Sequence, residues 1–361
     1  MKQGIDMKQT RKGKFKRLGQ LAALAGGLGS GAAHAQSSVT LYGLLDAGLQ
    51  YKTHANAAGD SVVASNNAGT SYPSRFGLRG SEDLGGGWRA IFNLENGFSL
   101  SNGTLASSDT LFNRVALVGL SGRYGTFTAG RQYSVQYDKT VFYEPTLFNN
   151  YSIFSLNMIP SATVRLNNSV KYQSPDMSGL NVEAMYSFGQ QIAGNSTAGR
   201  YWGAATEYVT GNFSARVGYE ELRGSVSGTV DQSNLVDRRT SAVARYGFDK
   251  VVISGGAVAV RGSLQASPDG NIYWLAASYM PNPALKLVLE GGRYYYQHDA
   301  GRPTLFNATA LYWLSKRTTV YLTGGYTING GGSDFGVNNY TTTALPGQTQ
   351  LALGTGLIVR F

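Results

Sequence analysis

Apolar and polar residues alternate along short segments that recur through most of this chain. The odd positions in 39–51 carry Val, Leu, Gly, Leu, Ala, Leu and Tyr, and most of the residues between them are polar or small. The same period of two recurs at 88–98, 180–188, 213–220 and 350–361. Residues two apart lie on one face of a β-strand, so each segment predicts a strand with one apolar and one polar face.

The separators between these strands alternate between short and long. The seven short separators are 81–87, 121–124, 174–179, 210–212, 248–250, 281–284 and 315–317. The eight longer ones lie near 52–70, 99–109, 134–162, 189–198, 223–237, 263–270, 299–302 and 330–346. Seven turns and eight loops connect sixteen strands. An even strand count with short turns at one end and long loops at the other is typical of an outer-membrane barrel. The sequence therefore predicts an all-β chain that forms a sixteen-stranded antiparallel transmembrane β-barrel.

Composition agrees with a barrel whose interior is wet. Only 42% of the residues are hydrophobic, which is modest for a membrane protein. Barrels need apolar residues only on the lipid face, and the 23 Tyr suit the aromatic girdles at the two membrane interfaces. The absence of Cys excludes disulfide scaffolds and thiolate metal sites. A secreted β-sandwich or adhesin would share the alternation, but it would not need seven short turns alternating with eight long loops.

The first 35 residues differ from the rest of the chain. They contain seven basic residues and one acidic residue, then a short apolar run at 18–28 and the small-x-small site Ala33-His34-Ala35. This order predicts a secretory signal peptide over 1–35 and a mature barrel over 36–361. Much of the net charge of +10 lies in the removed segment, so the high pI gives little support to a nucleic-acid partner.

No pattern of catalytic, metal-binding or cofactor-binding residues emerges. After the signal segment only His54 and His298 remain, and both lie in predicted loops. The glycine-rich stretches 85–87 and 330–332 are predicted turns, because no helix follows them as a phosphate loop requires. We expect no enzyme activity, no metal and no cofactor.

The alternation also assigns basic side chains to the lumen. Residues of the apolar face are assigned to lipid, so the residues between them point inward. On this basis the inward-facing basic residues of two strands are Arg75, Arg79, Arg165 and Lys171. The pattern around Arg114 is less regular, and it gives no assignment for Arg131 because Phe127 shares its face.

Several segments resemble the general trimeric porins of Gram-negative outer membranes. The resemblance is carried by 38–48, by 74–97 (SRFGLRGSEDLGGGWRAIFNLENG), by 112–120 and 124–133, and by 165–172. The terminal Arg360-Phe361 resembles the family's signal for barrel assembly, with Phe361 as its last residue.

This resemblance implies a homotrimer in which the third loop, about 134–162, folds inward and narrows each pore. The wall arginines of the family match Arg75, Arg114 and Arg165, with Arg131 as a further member of the constriction. Asp138 and Glu144 fall at the acidic positions of the loop. The usual Pro-Glu-Phe-Gly-Gly turn is absent, and Glu144-Pro145 stands nearby instead. Arg79 and Lys171 are expected to line the pore beside this constriction.

The resulting hypothesis is an outer-membrane diffusion channel for small hydrophilic solutes and ions. A basic wall facing an acidic loop would set a transverse field across the gap. A substrate-selective uptake channel remains a second interpretation, and an outer-membrane enzyme or adhesin barrel a third. The expected partners are other copies of the chain, outer-membrane lipid, lipopolysaccharide and the solutes themselves.

Overall fold

The computed structural model describes residues 38–65, 70–155, 162–264, 269–297, 302–338 and 343–361. The signal peptide predicted over 1–35 lies outside these residues, and so does His298. Within these residues, the regular secondary structure is almost entirely β-strand. Sixteen strands form the wall of a barrel, and three shorter strands lie in its loops.

In chain order, the strands of the wall are β1 (Ser38–Lys52), β3 (Arg75–Gly85), β4 (Trp88–Gly97), β5 (Val115–Gly122), β6 (Gly125–Tyr133), β7 (Arg165–Gln173), β8 (Leu180–Ser187), β9 (Tyr201–Thr210), β10 (Phe213–Arg223), β13 (Val236–Phe248), β14 (Val251–Gly262), β15 (Gly270–Asn282), β16 (Leu285–Tyr296), β17 (Thr304–Trp313), β18 (Thr318–Ile328) and β19 (Gln350–Arg360). The short strands are β2 (Val62–Ser65), β11 (Val226–Ser227) and β12 (Val230–Asp231).

The sheet closes on itself. Each wall strand pairs antiparallel with its neighbours in sequence, and β1 pairs with β19 in a register that places Leu45 opposite Val359. β2 lies beside β1 in the first loop, and β11 and β12 form a small hairpin in the fifth. The predicted sixteen strands, seven short turns and eight long loops are confirmed. Closure pairs the backbone groups of both outermost strands, which lipid could not do.

The two faces of the wall have opposite chemistry. Exposed aromatic residues form two rings on the outer surface. Members near the short turns are Trp88, Tyr124, Tyr172, Tyr246, Tyr279 and Tyr312. Members near the long loops are Tyr51, Phe76, Tyr186, Trp202, Tyr295 and Tyr326. Such rings mark the two interfaces of a membrane. None of the described helices combines the length and the hydropathy of a membrane-crossing helix.

The described part of the third loop, residues 134–155 and 162–164 and called L3 here, fills part of the lumen. It contains helix α1 (Val135–Thr140), which begins where the Ser134 side chain accepts a hydrogen bond from the Tyr137 N–H at 3.2 Å. It also contains a 3₁₀ turn, Ile153–Ser155, that packs on β16 and β17. A buried apolar cluster joins L3 to the wall and to the eighth loop through Tyr151, Phe154, Trp274, Phe335 and Val337.

Candidate pore constriction

Three arginines meet on one side of the lumen because each stands where a strand joins its loop. Arg75 begins β3 opposite Gly97, Arg114 immediately precedes β5, and Arg165 begins β7 opposite Tyr133. All three line one cavity of about 590 Å³, whose other side is formed by L3. The structure thus brings together the three wall arginines expected from the sequence.

A single carboxylate serves two of these arginines. Glu95 on β4 accepts a hydrogen bond from Arg114 Nε at 2.6 Å and lies 3.8 Å from Arg75 Nε. The Tyr42 hydroxyl donates to the same carboxylate at 3.0 Å. Arg165 has no carboxylate partner among the described residues. Three guanidinium groups therefore share one negative charge, and the cluster keeps a net positive charge.

Tyr133 positions the second and third arginines of this cluster. Its hydroxyl accepts hydrogen bonds from Arg114 Nη2 at 2.8 Å and from Arg165 Nη2 at 3.2 Å. The guanidinium carbon of Arg165 also lies 4.7 Å from the centre of the Tyr133 ring. A cation over an aromatic face is attracted by the ring quadrupole, so the tyrosine holds Arg165 without neutralising it.

A chain of aromatic rings carries L3 across the lumen from β6 to β15. Consecutive rings lie between 4.7 and 5.5 Å apart, centre to centre, in the order Tyr133, Tyr137, Phe148, Phe154 and Trp274. Aromatic pairs at such separations are stabilising beyond their buried area. Burial raises the pKa of the Tyr137 hydroxyl above its ordinary value.

Hydrogen bonds with side chains of β13 and β16 fix the backbone of L3 to the wall. The Arg245 guanidinium donates to the Phe142 carbonyl at 2.9 Å, and Lys286 Nζ donates to the Pro145 carbonyl at 2.7 Å. Glu290 Oε1 accepts from the Ile153 N–H at 2.8 Å. Buried backbone groups need such partners, so the path of L3 depends on side chains from distant strands.

Asp138 does lie beside the arginine cluster, but its charge is already paired. Its carboxylate accepts from Lys171 Nζ at 2.8 Å, and Lys171 is almost fully buried. Both residues line the cavity. The expected acid on L3 and the expected basic lining residue thus neutralise each other.

Glu144 does not face the arginines. Its carboxylate is fully buried and accepts from the Thr146 N–H, the Thr146 hydroxyl and the Phe148 N–H at 2.6–2.8 Å. In the described chain it forms no ion pair with an arginine. The expected opposition between a basic wall and an acidic Glu144 is absent, because this carboxylate is used to close the turn of L3.

Arg131 lies apart from the cluster as well. It stands opposite Ala116 in the pairing of β5 with β6, and residues directly opposite share a face. Ala116 is on the face of Val118, which is 64% exposed on the outside of the barrel. Arg131 thus continues the outward face of Phe127 and Ala129, and it donates to the Asn113 carbonyl and to Asn167 Oδ1. The register shift between β6 and β7 is a bulge whose extra residue lies on β7, where Asn167 and Asn168 stand opposite Arg131.

Arg79 lies on the lumen face below the cluster, towards the short turns. Its guanidinium carbon is 5.2 Å from the centre of the Tyr42 ring, and Tyr42 itself donates to Asn93 and Glu95. The structure therefore places Arg79 in the pore but outside the cavity that holds Arg75, Arg114 and Arg165.

The L3 side of this cavity is apolar, which no pattern in the sequence indicated. Phe142 and Leu147 of L3 are 55% and 48% exposed, although they lie inside the barrel, and both line the cavity with the arginines. Leu147 and the buried Phe148 have φ of 57° and 54°. A left-handed conformation costs a non-Gly residue roughly 1–2 kcal/mol. The only signal in the sequence was the absence of the glycine-containing turn.

No cluster of three or more His, Cys, Asp or Glu suited to a metal ion occurs among the described residues. His54 lies in the first loop, and its carbonyl accepts a hydrogen bond from Gln350 Nε2 at 3.1 Å.

Comparison with known proteins agrees with this architecture. The Gram-negative porin family matches residues 21–332. The outer membrane porin protein 32 of Delftia acidovorans is 31% identical over 314 residues, which cover 83% of this chain and 87% of that protein. An outer membrane porin protein of Bordetella pertussis is 32% identical over 257 residues, covering 64% of this chain and 66% of the relative.

Solved structures give the same result. An anion-selective porin from Comamonas acidovorans superposes with a TM-score of 0.78 at 27% identity, covering 90% of this chain and all of that one. OmpT of Vibrio cholerae, in its trimer form, shares the fold with a TM-score of 0.67 at 16% identity. The chain belongs to the Gram-negative porin family and is a channel protein of the outer membrane, not an enzyme.

Proposed function

We propose that this porin is a diffusion channel that prefers small anions, with its preference set by Arg75, Arg114 and Arg165. One observation carries the proposal: three guanidinium groups line the cavity beside L3, and the one carboxylate among them, Glu95, pairs only with Arg75 and Arg114. The neighbouring ion pair of Lys171 with Asp138 adds no net charge. Fixed lumen charges of one sign raise the local concentration of counter-ions and favour their passage.

The positions of the acidic residues determine how strongly the channel discriminates between anions and cations. With Glu144 buried in its own turn, the field across the gap is that of an excess positive charge on the wall. Such a field favours anions without excluding cations, because the lumen remains wet. The anion selectivity named for the Comamonas structure supports the same sign here.

Reversal potentials in a KCl gradient across a planar bilayer test the proposal. The wild-type channel should prefer chloride, and the preference should grow as salt falls, since the Debye length rises from ~3 Å at 1 M to ~30 Å at 0.01 M. Replacing all three arginines with Ser should move the reversal potential towards cation preference and raise the conductance slightly. An unchanged potential at low salt would overturn the assignment.

Arg131→Ser is the matched control. It removes the same charge from a nearby strand, but from the outer face of the barrel. We expect its reversal potential to equal that of the wild-type protein. A shift as large as that of an inward arginine would contradict the placement of Arg131.

We further propose that the channel assembles as a homotrimer embedded in outer-membrane lipid and lipopolysaccharide. The trimer form named for the Vibrio structure of the same fold supports this state. Closely spaced triple conductance steps from single insertions would agree with a trimer, and single steps only would contradict it.

A further inference from the structure

The cavity at the constriction has two unlike sides. The wall side carries Arg75, Arg114 and Arg165, and the L3 side carries the exposed side chains of Phe142 and Leu147. A pore built only for hydrated ions gains nothing from apolar surface facing water, because every exposed apolar group in the lumen costs hydration free energy.

The conformation of L3 holds this apolar surface in place. Leu147 and Phe148 are adjacent and both left-handed, a conformation that Gly or Asn adopts far more readily than Leu or Phe. Phe148 is buried between the rings of Tyr137 and Phe154, whereas the Leu147 side chain emerges into the cavity. Residues in strained conformations cluster at ligand-binding sites, where the surrounding contacts hold them.

The cationic side has unused hydrogen-bonding capacity. Arg165 lacks a carboxylate partner, and its buried Nε has no acceptor within the described chain. Among the described residues the guanidinium donates only from Nη2, to the Tyr133 hydroxyl at 3.2 Å, so an anion in the cavity has further N–H donors to accept from. A carboxylate accepts such bonds in a charge-assisted form.

We propose that the cavity is a binding site for amphiphilic monocarboxylates, with the carboxylate at Arg165 and Arg114 and the apolar tail against Phe142 and Leu147. The proposal rests on the anion preference proposed above and extends it to a class of solute. A volume of about 590 Å³ accommodates a single aromatic ring with its carboxylate and leaves room for water. Removing the tail from water supplies the affinity that a small hydrophilic anion lacks.

The test measures chloride conductance of single channels in KCl while benzoate or acetate is added. Benzoate should reduce the chloride current in a saturable way, because a bound solute occupies the pore. Acetate has the same head group without the tail, and benzamide has the ring without the charge. Neither should reduce the current at the concentration where benzoate reaches half of its effect.

Two variants address the apolar side. Leu147→Asn introduces a residue that tolerates the left-handed conformation, and it removes the apolar side chain. It should raise the benzoate concentration for half block at least fivefold, and Phe142→Asn provides a second, independent substitution with the same expected result. Leu345→Asn changes an exposed leucine of the eighth loop and is expected to leave the block unchanged.

The reversal potential in KCl without benzoate is measured on every protein. Absence of chloride preference in the wild-type channel would count against the proposed function. Preserved chloride preference with equal effects of benzoate and acetate would overturn this inference alone. Benzoate block that persists unchanged in both Leu147→Asn and Phe142→Asn would also overturn it.

Discussion

Glu95 and Glu144 have identical side chains in opposite surroundings. Glu95 lies between two arginines at the open cavity, whereas Glu144 is enclosed by the backbone of its own loop. Alternation assigned Arg75 and Arg165 to the lumen because the apolar residue that follows each of them was assigned to lipid. For Arg165 that basis was wrong, since the bulge of β7 interrupts the alternation and Leu166 is buried against Val135 of L3. It gave no clear result for Arg114, which precedes β5 and is fixed by its N–H donating to the Glu95 carbonyl at 3.2 Å. Arg131 shares the outward face of Phe127, so alternation did not place it in the lumen.

The two glutamates give a matched pair of substitutions. Glu95→Gln removes the only negative charge shared by the arginines, so chloride preference should increase. Because Arg114 loses a charge-assisted hydrogen bond, the free energy of unfolding should fall by roughly 1–3 kcal/mol. Glu144→Gln should leave the reversal potential nearly unchanged. Bilayer recordings and urea unfolding in liposomes measure the two effects, and a larger potential shift from Glu144→Gln would contradict the placement of that residue.

At the level of elements, the wall was predictable and L3 was not. Along most wall strands the apolar and polar residues alternate with a period of two, and each strand pairs with its neighbours in sequence. The local sequence therefore predicts where most strands lie and which residues face the lumen. L3 takes its path from contacts more than a hundred residues away, such as Asn307 Nδ2 donating to the Tyr151 carbonyl at 2.7 Å. Neither the burial of Glu144 nor the exposure of Leu147 has a local sequence pattern.

Gly292 on β16 shows how closely L3 approaches the wall. A Cβ added there would lie 1.5 Å from Ile153 Cδ1 of the 3₁₀ turn. Gly292→Val should therefore displace the turn, lower the free energy of unfolding by about 1–3 kcal/mol and increase current noise. Ile153→Ala opens space at this point, so the double variant should recover part of the loss. Purely additive effects in urea unfolding would show that the two residues do not meet.

At the scale of the whole molecule, the two chain segments that close the barrel meet at Phe361. The Phe361 N–H donates to the Gly43 carbonyl, and the Gly43 N–H donates to the Phe361 carbonyl. The phenyl ring lies over Gly43, where an added Cβ would be 2.4 Å from Cζ. Closure of the barrel was predictable from the even strand count, but this contact was not, since it joins residues more than three hundred positions apart.

Deletion of Phe361 should reduce the amount of folded barrel in the outer membrane and leave aggregates in the periplasm. It removes both backbone hydrogen bonds to Gly43 and the exposed ring, which we predict to be the signal for assembly. Phe361→Tyr keeps the ring and the backbone and should assemble normally. Quantifying folded protein in membrane fractions at ordinary expression levels checks this, and a normal yield for the deletion would argue against an essential role.

The left-handed Leu147 has a consequence for laboratory evolution of this porin. Asn or Gly at this position removes a conformational cost of roughly 1–2 kcal/mol and, because Leu147 is half exposed, sacrifices little packing. A screen for heat resistance should therefore enrich replacements at this position early. The resulting proteins would be more heat-resistant but would lack the apolar Leu147 side chain on the L3 side of the cavity. Selection for thermal stability would therefore oppose selection for binding of amphiphilic solutes.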